Sequence, residues 1–364
     1  MARIDAILQQ AKEQGASDLH IATGAQPMVR IHGEIVPTSF PEITPETAEL
    51  LLLELLDEDS SARFAEFKDV DFSYEIPGVV QVRCNIYEES QGLAGAFRIL
   101  PSEIFTLEQL GLPASVTRLA GLRRGLVLVT GPPGTGRSTT LAALVNHING
   151  HERRHILTIE DPIEYRHSHR LSLVTQREVG RNTPSFAQGL RAALREDPDV
   201  ILVGELRDQE TMQLAITAAA TGQLVFGTLH TMSAAQTVER IIESFDGEKQ
   251  TQVRLTLAEC LKGVLAQRLL RLRDDSGRAL AVEVLIGTPP VAALIRERKT
   301  FQLGSVMQTG KREGMQTLDD SVLAMVQAGL VSPEEAAFHL SSPDLLPTLG
   351  PTETTSEHGD LRAA

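Results

Sequence analysis

Residues 125–140 read GLVLVTGPPGTGRSTT, an apolar run that feeds a glycine-rich loop and then a hydroxyl-rich turn. The spacing is close to GxxxxGK[ST], in which backbone N–H groups surround phosphates, a lysine reaches the β- and γ-phosphates and a hydroxyl ligates Mg2+. Gly131, Gly136 and Ser138 fit that pattern, whereas Arg137 occupies the lysine position. The candidate phosphate contacts are Gly131, Pro132, Pro133, Gly134, Thr135, Gly136, Arg137, Ser138 and Thr139. Arginine keeps the positive charge, but its planar fork is larger than a compact ammonium and prefers bidentate partners.

Carboxylates follow. ILTIEDPIEY, residues 156–165, is a strand-like run ending in Glu160, Asp161 and Glu164. Acids at the carboxyl end of a parallel strand sit where an α/β sheet binds its ligand, and beside a nucleotide they can hold Mg2+ or orient a water. A solvated loop with a helix-starting acid is the plainer alternative. PDVILVGELRD, residues 198–208, sets Glu205 after the most apolar run of the chain, between Arg195 and Arg207, where an acid would ligate Mg2+ through water. FGTLHT, residues 226–231, ends the next run with His230. Taken alone, such a histidine is more often a structural hydrogen-bonding residue than a chemical one. Arg83 and Arg98 lie on neighbouring expected strands and, in isolation, read as solvated strand faces.

The elements that must position these groups fall into two patterns. Residues 3–14 have helical spacing, followed by short runs at Leu19–Ala22, Met28–Ile31 and Glu34–Pro37, with His32 and Gly33 at a tight turn. A helical pattern over 46–56 precedes Val70–Ile76, Val79–Tyr87 and Leu93–Leu100. This predicts a small α+β domain over residues 1–100. Residues 101–124 read as a linker with one helix. From 125 onward, apolar runs at 125–130, 155–160, 200–204 and 223–228 alternate with helical segments, which predicts a parallel sheet with crossover helices. From about residue 250 onward the chain reads as mostly helical with strand-like runs at 263–272 and 279–287, the second domain ending near 340. Residues 341–364, rich in Pro, Ser, Thr and Gly, are expected to be disordered.

Composition narrows the function classes. At 364 residues, 42% hydrophobic and 23% charged, the chain can bury two cores in water. A formal charge of −14 argues against a duplex nucleic-acid binder. Cys84 and Cys260 are far apart and show no CxxC spacing, so neither a disulfide framework nor a zinc site is indicated, and reduced thiols fit the cytosol. No signal-peptide core and no stretch of about 18 uninterrupted apolar residues is present, so any membrane role is expected to run through partners.

These segments together resemble the secretion and type IV pilus family of hexameric motor ATPases, and within it the pilus-retraction branch, over about residues 1–340. LREDPDVILVGELRD at 194–208 is similar to the family signature at every fixed position. ASDLHI at 16–21, TIEDPIEY at 158–165, TGQLVFGTLHT at 221–231 and IGTPPVAALIRERK at 286–299 are similar too. The resemblance implies an α/β fold: a PAS-like N-terminal domain followed by a RecA-like P-loop motor. It implies a homo-hexamer, or a ring mixed with a homologous ATPase, in the cytoplasm beneath an inner-membrane pilus platform protein, driven by ATP and Mg2+. By position it makes Glu164 the catalytic glutamate, Glu205 the Walker B acid, Ser138 a Mg2+ ligand and His230 the second His-box histidine. Arg83 and Arg98 become the arginines that approach the γ-phosphate. Three positions depart from the family: Arg137, Gln223 in place of the first His-box histidine, and Ala220 in place of a glutamate. They raise a second expectation, a nucleotide-binding but hydrolysis-poor accessory subunit. A pilus-assembly or type II secretion ATPase is disfavoured, because those carry a longer N-terminal region and often a tetracysteine loop.

Overall fold

The computed structural model describes residues 2–31, 33–100 and 103–346. His32, Pro101 and the expected disordered segment beyond Leu346 lie outside the described residues. The chain divides into two compact units, the first made of Met1–Glu103 with Pro162–Tyr165, the second of Ile104–Asp161 with the remainder.

In the first unit, strands β1 (Asp18–Ala22), β2 (Met28–Ile31), β3 (Glu34–Pro37), β4 (Asp69–Ile76), β5 (Val80–Glu89) and β6 (Gly92–Leu100) form one antiparallel sheet in the order β3-β2-β1-β6-β5-β4. Successive side chains of a strand point to opposite faces, which leaves one face free to be polar. On β5 the alternation is clean: Val80, Val82, Cys84 and Ile86 are buried while Arg83 and Tyr87 are exposed. The buried face packs with Phe97 and Leu19 against Leu8 of the helix Asp5–Glu13 and Leu52 of the helix Pro45–Leu52. Tyr74 on β4 donates its hydroxyl to Asp5 Oδ1 at 2.7 Å. Burial, then the bond to Asp5, pushes its phenol up to about 12.

The second unit contains a seven-stranded sheet of β7 (Gly125–Thr130), β8 (His155–Glu160), β9 (Leu173–Glu178), β10 (Val200–Val203), β11 (Leu224–Leu229), β12 (Leu261–Arg271) and β13 (Arg278–Ile286). The order is β13-β12-β7-β11-β10-β8-β9, with every neighbouring pair parallel except β12 with β13. Every residue of β7, β10 and β11 is buried, as strands covered on both faces must be. Leu126 and Leu128 of β7 face one hydrophobic cluster, and Val127 and Val129 face the other. The stretch expected as a linker contributes to that second cluster: Leu107, Leu110, Leu112, Val116 and Leu119 are buried there. The strand-like runs of the last quarter join the main sheet as β12 and β13, and β12 lies beside β7.

Candidate functional site

The four adjacent parallel strands β7, β11, β10 and β8 end, at their carboxyl edge, in Gly131, His230, Gly204–Glu205 and Glu160. Parallel neighbours lie about 4.8 Å apart, so the sheet gathers residues that are far apart in sequence along one edge. That edge is where α/β sheets bind ligands.

The loop after β7 has the backbone of a phosphate cradle. Gly131, Gly134 and Gly136 have φ of 144°, 78° and 82°. At Gly131 no other residue fits, because a Cβ there would stand 2.7 Å from both the Gln267 carbonyl oxygen and Thr135 Oγ1. A Cβ at Gly134 or Gly136 would meet nothing within 4 Å, so it is the positive φ and not crowding that favours glycine at those two positions. Thr135 braces the turn by donating from Oγ1 to the Pro132 carbonyl at 2.8 Å. Gly136 then caps the helix Arg137–His151, 15 residues whose first amides point at the loop. Arg137 opens that helix and donates from Nη1 to the Leu229 carbonyl at 3.0 Å, across to the carboxyl end of β11. Ser138 and Thr139 stand in the same first turn.

Next to Leu229, His230 Nε2 lies 2.8 Å from Glu205 Oε1, and Arg207 Nε lies 2.7 Å from the same oxygen. Burial pushes the Glu205 carboxyl up, but the hydrogen bonds from Arg207 and His230 outweigh it and hold the group below its ordinary value. Both contacts fall on Oε1 of the carboxylate. Ser138 and Glu205 are hard oxygen donors of the kind Mg2+ takes, and the described residues contain no cluster of three or more metal-ligating side chains. That pair of oxygen donors suits Mg2+, which usually keeps waters and phosphate oxygens alongside one or two carboxylates.

A depressed carboxylate stabilises the fold above its unfolded pKa and loses that contribution as the pH falls through the folded one. Glu205→Gln should therefore lower the thermal midpoint at pH 7 by the equivalent of about 0.5–1 kcal/mol, a modest figure because Arg207 is largely exposed. The gap between variant and wild type should close as the pH is taken below about 4. A gap that stays constant from pH 7 to 3.5 would show that the carboxylate's charge contributes nothing.

The other expected residues are placed differently. Glu160 accepts Thr158 Oγ1 at 2.6 Å and Gln176 Nε2 at 3.2 Å on one oxygen. Glu164 belongs to Pro162–Tyr165, which groups with the first unit and not with the sheet that precedes it in sequence. Arg83 and Arg98 sit directly opposite each other on β5 and β6 of that unit. Arg98 Nε lies 3.1 Å from Asp18 Oδ1, and Arg30 Nε lies 3.8 Å from Asp18 Oδ2, so Asp18 anchors a row of arginines across the sheet. Gln223 precedes β11 at its amino end, where it accepts Thr221 Oγ1 at 3.2 Å. The six residues of β11 put it about 20 Å from His230. Two residues escaped the sequence reading. Gln267 on β12 donates from Nε2 to Thr140 Oγ1 at 2.6 Å, tying the helix after the loop to the sheet. Its one sequence signal is an amide inside an apolar strand. Arg207 stands two residues from Glu205 in sequence, and its contact with the carboxylate has no signal in the local sequence.

Comparison with known proteins follows the same lines. The family model described as type II/IV secretion system protein matches residues 1–337. The type IV pilus retraction ATPase PilT of Pseudomonas aeruginosa is 46% identical over 341 residues, 94% of this chain and 99% of that protein. A twitching motility protein of Neisseria gonorrhoeae is 47% identical over 310 residues, 85% of this chain and 83% of its own. The crystal structure of the pilus retraction motor PilT with bound ADP superposes with a TM-score of 0.88 at 44% identity, covering 95% of this chain and 99% of that one.

Proposed function

The chain belongs to the type II/IV secretion system protein family, and from that membership we propose that it is an ATP-hydrolysing motor that drives type IV pilus retraction, the movement behind twitching. One observation carries the reading: a phosphate-loop edge where His230 pairs with Glu205 and Arg137 bonds the neighbouring Leu229 carbonyl, in a chain alike to a pilus retraction ATPase along nearly its whole length. The loop Gly131–Thr139 holds the phosphates through backbone amides and the helix N-terminus. Ser138 and, through water, Glu205 would hold Mg2+, which when bound neutralises charge on the phosphate oxygens. Glu164 orients and deprotonates the attacking water, and His230 reads the charge state beside Glu205. Arg83 and Arg98 meet developing phosphate charge, a role that suits the rigid guanidinium fork.

The working assembly is a homo-hexamer, or a ring mixed with a homologous ATPase, beneath an inner-membrane platform protein in the cytoplasm. No described helix is long and apolar enough to cross a membrane. The net charge of −14 gives no support to a nucleic-acid partner. A second reading, a nucleotide-binding subunit that hydrolyses poorly within a mixed ring, draws on Arg137 being tied to Leu229. It draws nothing from Gln223, which lies at the far end of β11.

Purified protein should release phosphate from Mg·ATP, and a strain lacking the gene should lose twitching and regain it with the wild-type copy. Rings that bind nucleotide but release no phosphate above background would overturn the motor reading. Hydrolysis without any motility defect would leave the ATPase and remove the pilus.

A further inference from the structure

Glu164 lies in sequence between two strands of the second unit, yet the four residues Pro162–Tyr165 that carry it are part of the first. A side chain on the sheet of that unit bonds to their backbone. Gln81 of β5 donates from Nε2 to the Ile163 carbonyl at 3.1 Å. A carbonyl only accepts, so the amide nitrogen and not the oxygen must face it. The carbonyl of Ile163 is part of the peptide bond that leads into Glu164, so this contact fixes the plane from which the Glu164 side chain departs. Ile163 and Tyr165, on either side of Glu164, are each 5% exposed, while Glu164 between them is half-buried.

Gln81 and Arg83 share one face of β5, two residues and therefore about 7 Å apart. Arg83 in turn pairs in register with Arg98 on β6. A single rigid sheet thus carries both arginines and the tether of the glutamate. We propose that Gln81 is the positioning residue of Glu164: its amide sets the approach of the catalytic carboxylate and fixes it relative to Arg83 and Arg98. The inference rests on the reading of Glu164 as the group that orients the attacking water. Gln81 itself touches neither water nor phosphate in this scheme, and its effect should appear in the chemical step and not in binding.

The experiment compares Gln81→Met, which keeps the length and loses the donor, with Gln81→Asn, which keeps the donor one methylene short. In Mg·ATP hydrolysis by the full chain, Gln81→Met should lower kcat by roughly 10- to 100-fold, the scale of a small misplacement of a catalytic group. KM for ATP should stay within about threefold of wild type. Gln81→Asn should fall between the two. Backbone hydrogen exchange over residues 162–166 should quicken in Gln81→Met while the core strands stay protected, a readout independent of turnover. On a Glu164→Gln background the methionine should cause no further loss. Wild-type kcat in Gln81→Met overturns the proposal, as does an equal loss in kcat and nucleotide affinity with quicker exchange throughout, which marks a merely structural role. If wild type shows no turnover, or Glu164→Gln retains it, the underlying reading has failed, and that is seen before residue 81 is changed.

Discussion

Glu164→Gln should lower phosphate release by about a thousandfold, within the range that general-base catalysis contributes, while nucleotide affinity stays within about threefold of wild type. Glutamine matches glutamate in length and volume but cannot take a proton from water. Glu164 sits between two deeply buried neighbours in a short segment held by Gln81, so the replacement leaves the surrounding packing as it is. Of the three acids Glu160, Asp161 and Glu164, Glu160 accepts Thr158 and Gln176 on one oxygen. The check is steady-state phosphate release alongside calorimetric titration with a non-hydrolysable nucleotide. A variant that keeps a third of wild-type turnover would transfer the role to another acid and remove Glu164 from the mechanism.

Arg137→Ala should cost about 100- to 1,000-fold in kcat/KM, the scale seen when one preorganised donor to a developing negative charge is removed. Arg137→Lys should stay within about fivefold of wild type. A guanidinium presents five donors in a fixed plane, so holding the Leu229 carbonyl uses one of them. The ammonium of lysine is a point charge that suits phosphate and gives up the strut to β11. In an arginine-adapted motor these effects offset each other. In a hydrolysis-poor accessory subunit they do not, and lysine should then raise turnover tenfold or more. Turnover of the three proteins side by side decides between the readings, and a tenfold gain in Arg137→Lys rejects the motor as stated.

The parts of the fold that were legible in sequence are those where burial leaves a continuous mark. Gly125–Thr130, Met28–Ile31 and Glu34–Pro37 are strands with the bounds expected, because glycine and charged residues punctuate apolar runs there. β9, Leu173–Glu178, was not legible. It is an edge strand whose Leu173 is 54% exposed and whose Thr175, Gln176 and Arg177 are half-buried, so it has neither an apolar run nor a clean alternation. Residues 101–124 looked like a linker because Pro101, Gly111 and Pro113 interrupt them, yet Leu107, Leu110, Leu112, Val116, Leu119 and Ala120 are buried with the second unit. The strand-end positions of Glu205 and His230 were legible because alternating strands and helices imply a parallel sheet, whose carboxyl ends lie along one edge. The affiliation of Glu164 could not, since nothing in a local window tells which sheet will seat a four-residue segment. The weight given to Gln223 is a related case: similarity marks a departure, but only the strand direction shows that it stands at the end away from the phosphate loop.

Arg137 reaches the main-chain oxygen of residue 229 and not its side chain. Every amino acid at 229 would offer that same acceptor, so the link survives drift along β11 and can be cut only from the arginine's side. A search for second-site revertants of an Arg137 defect should consequently recover no replacement of Leu229, and compensating changes should cluster where the geometry of that oxygen is set, in the turn leading to His230.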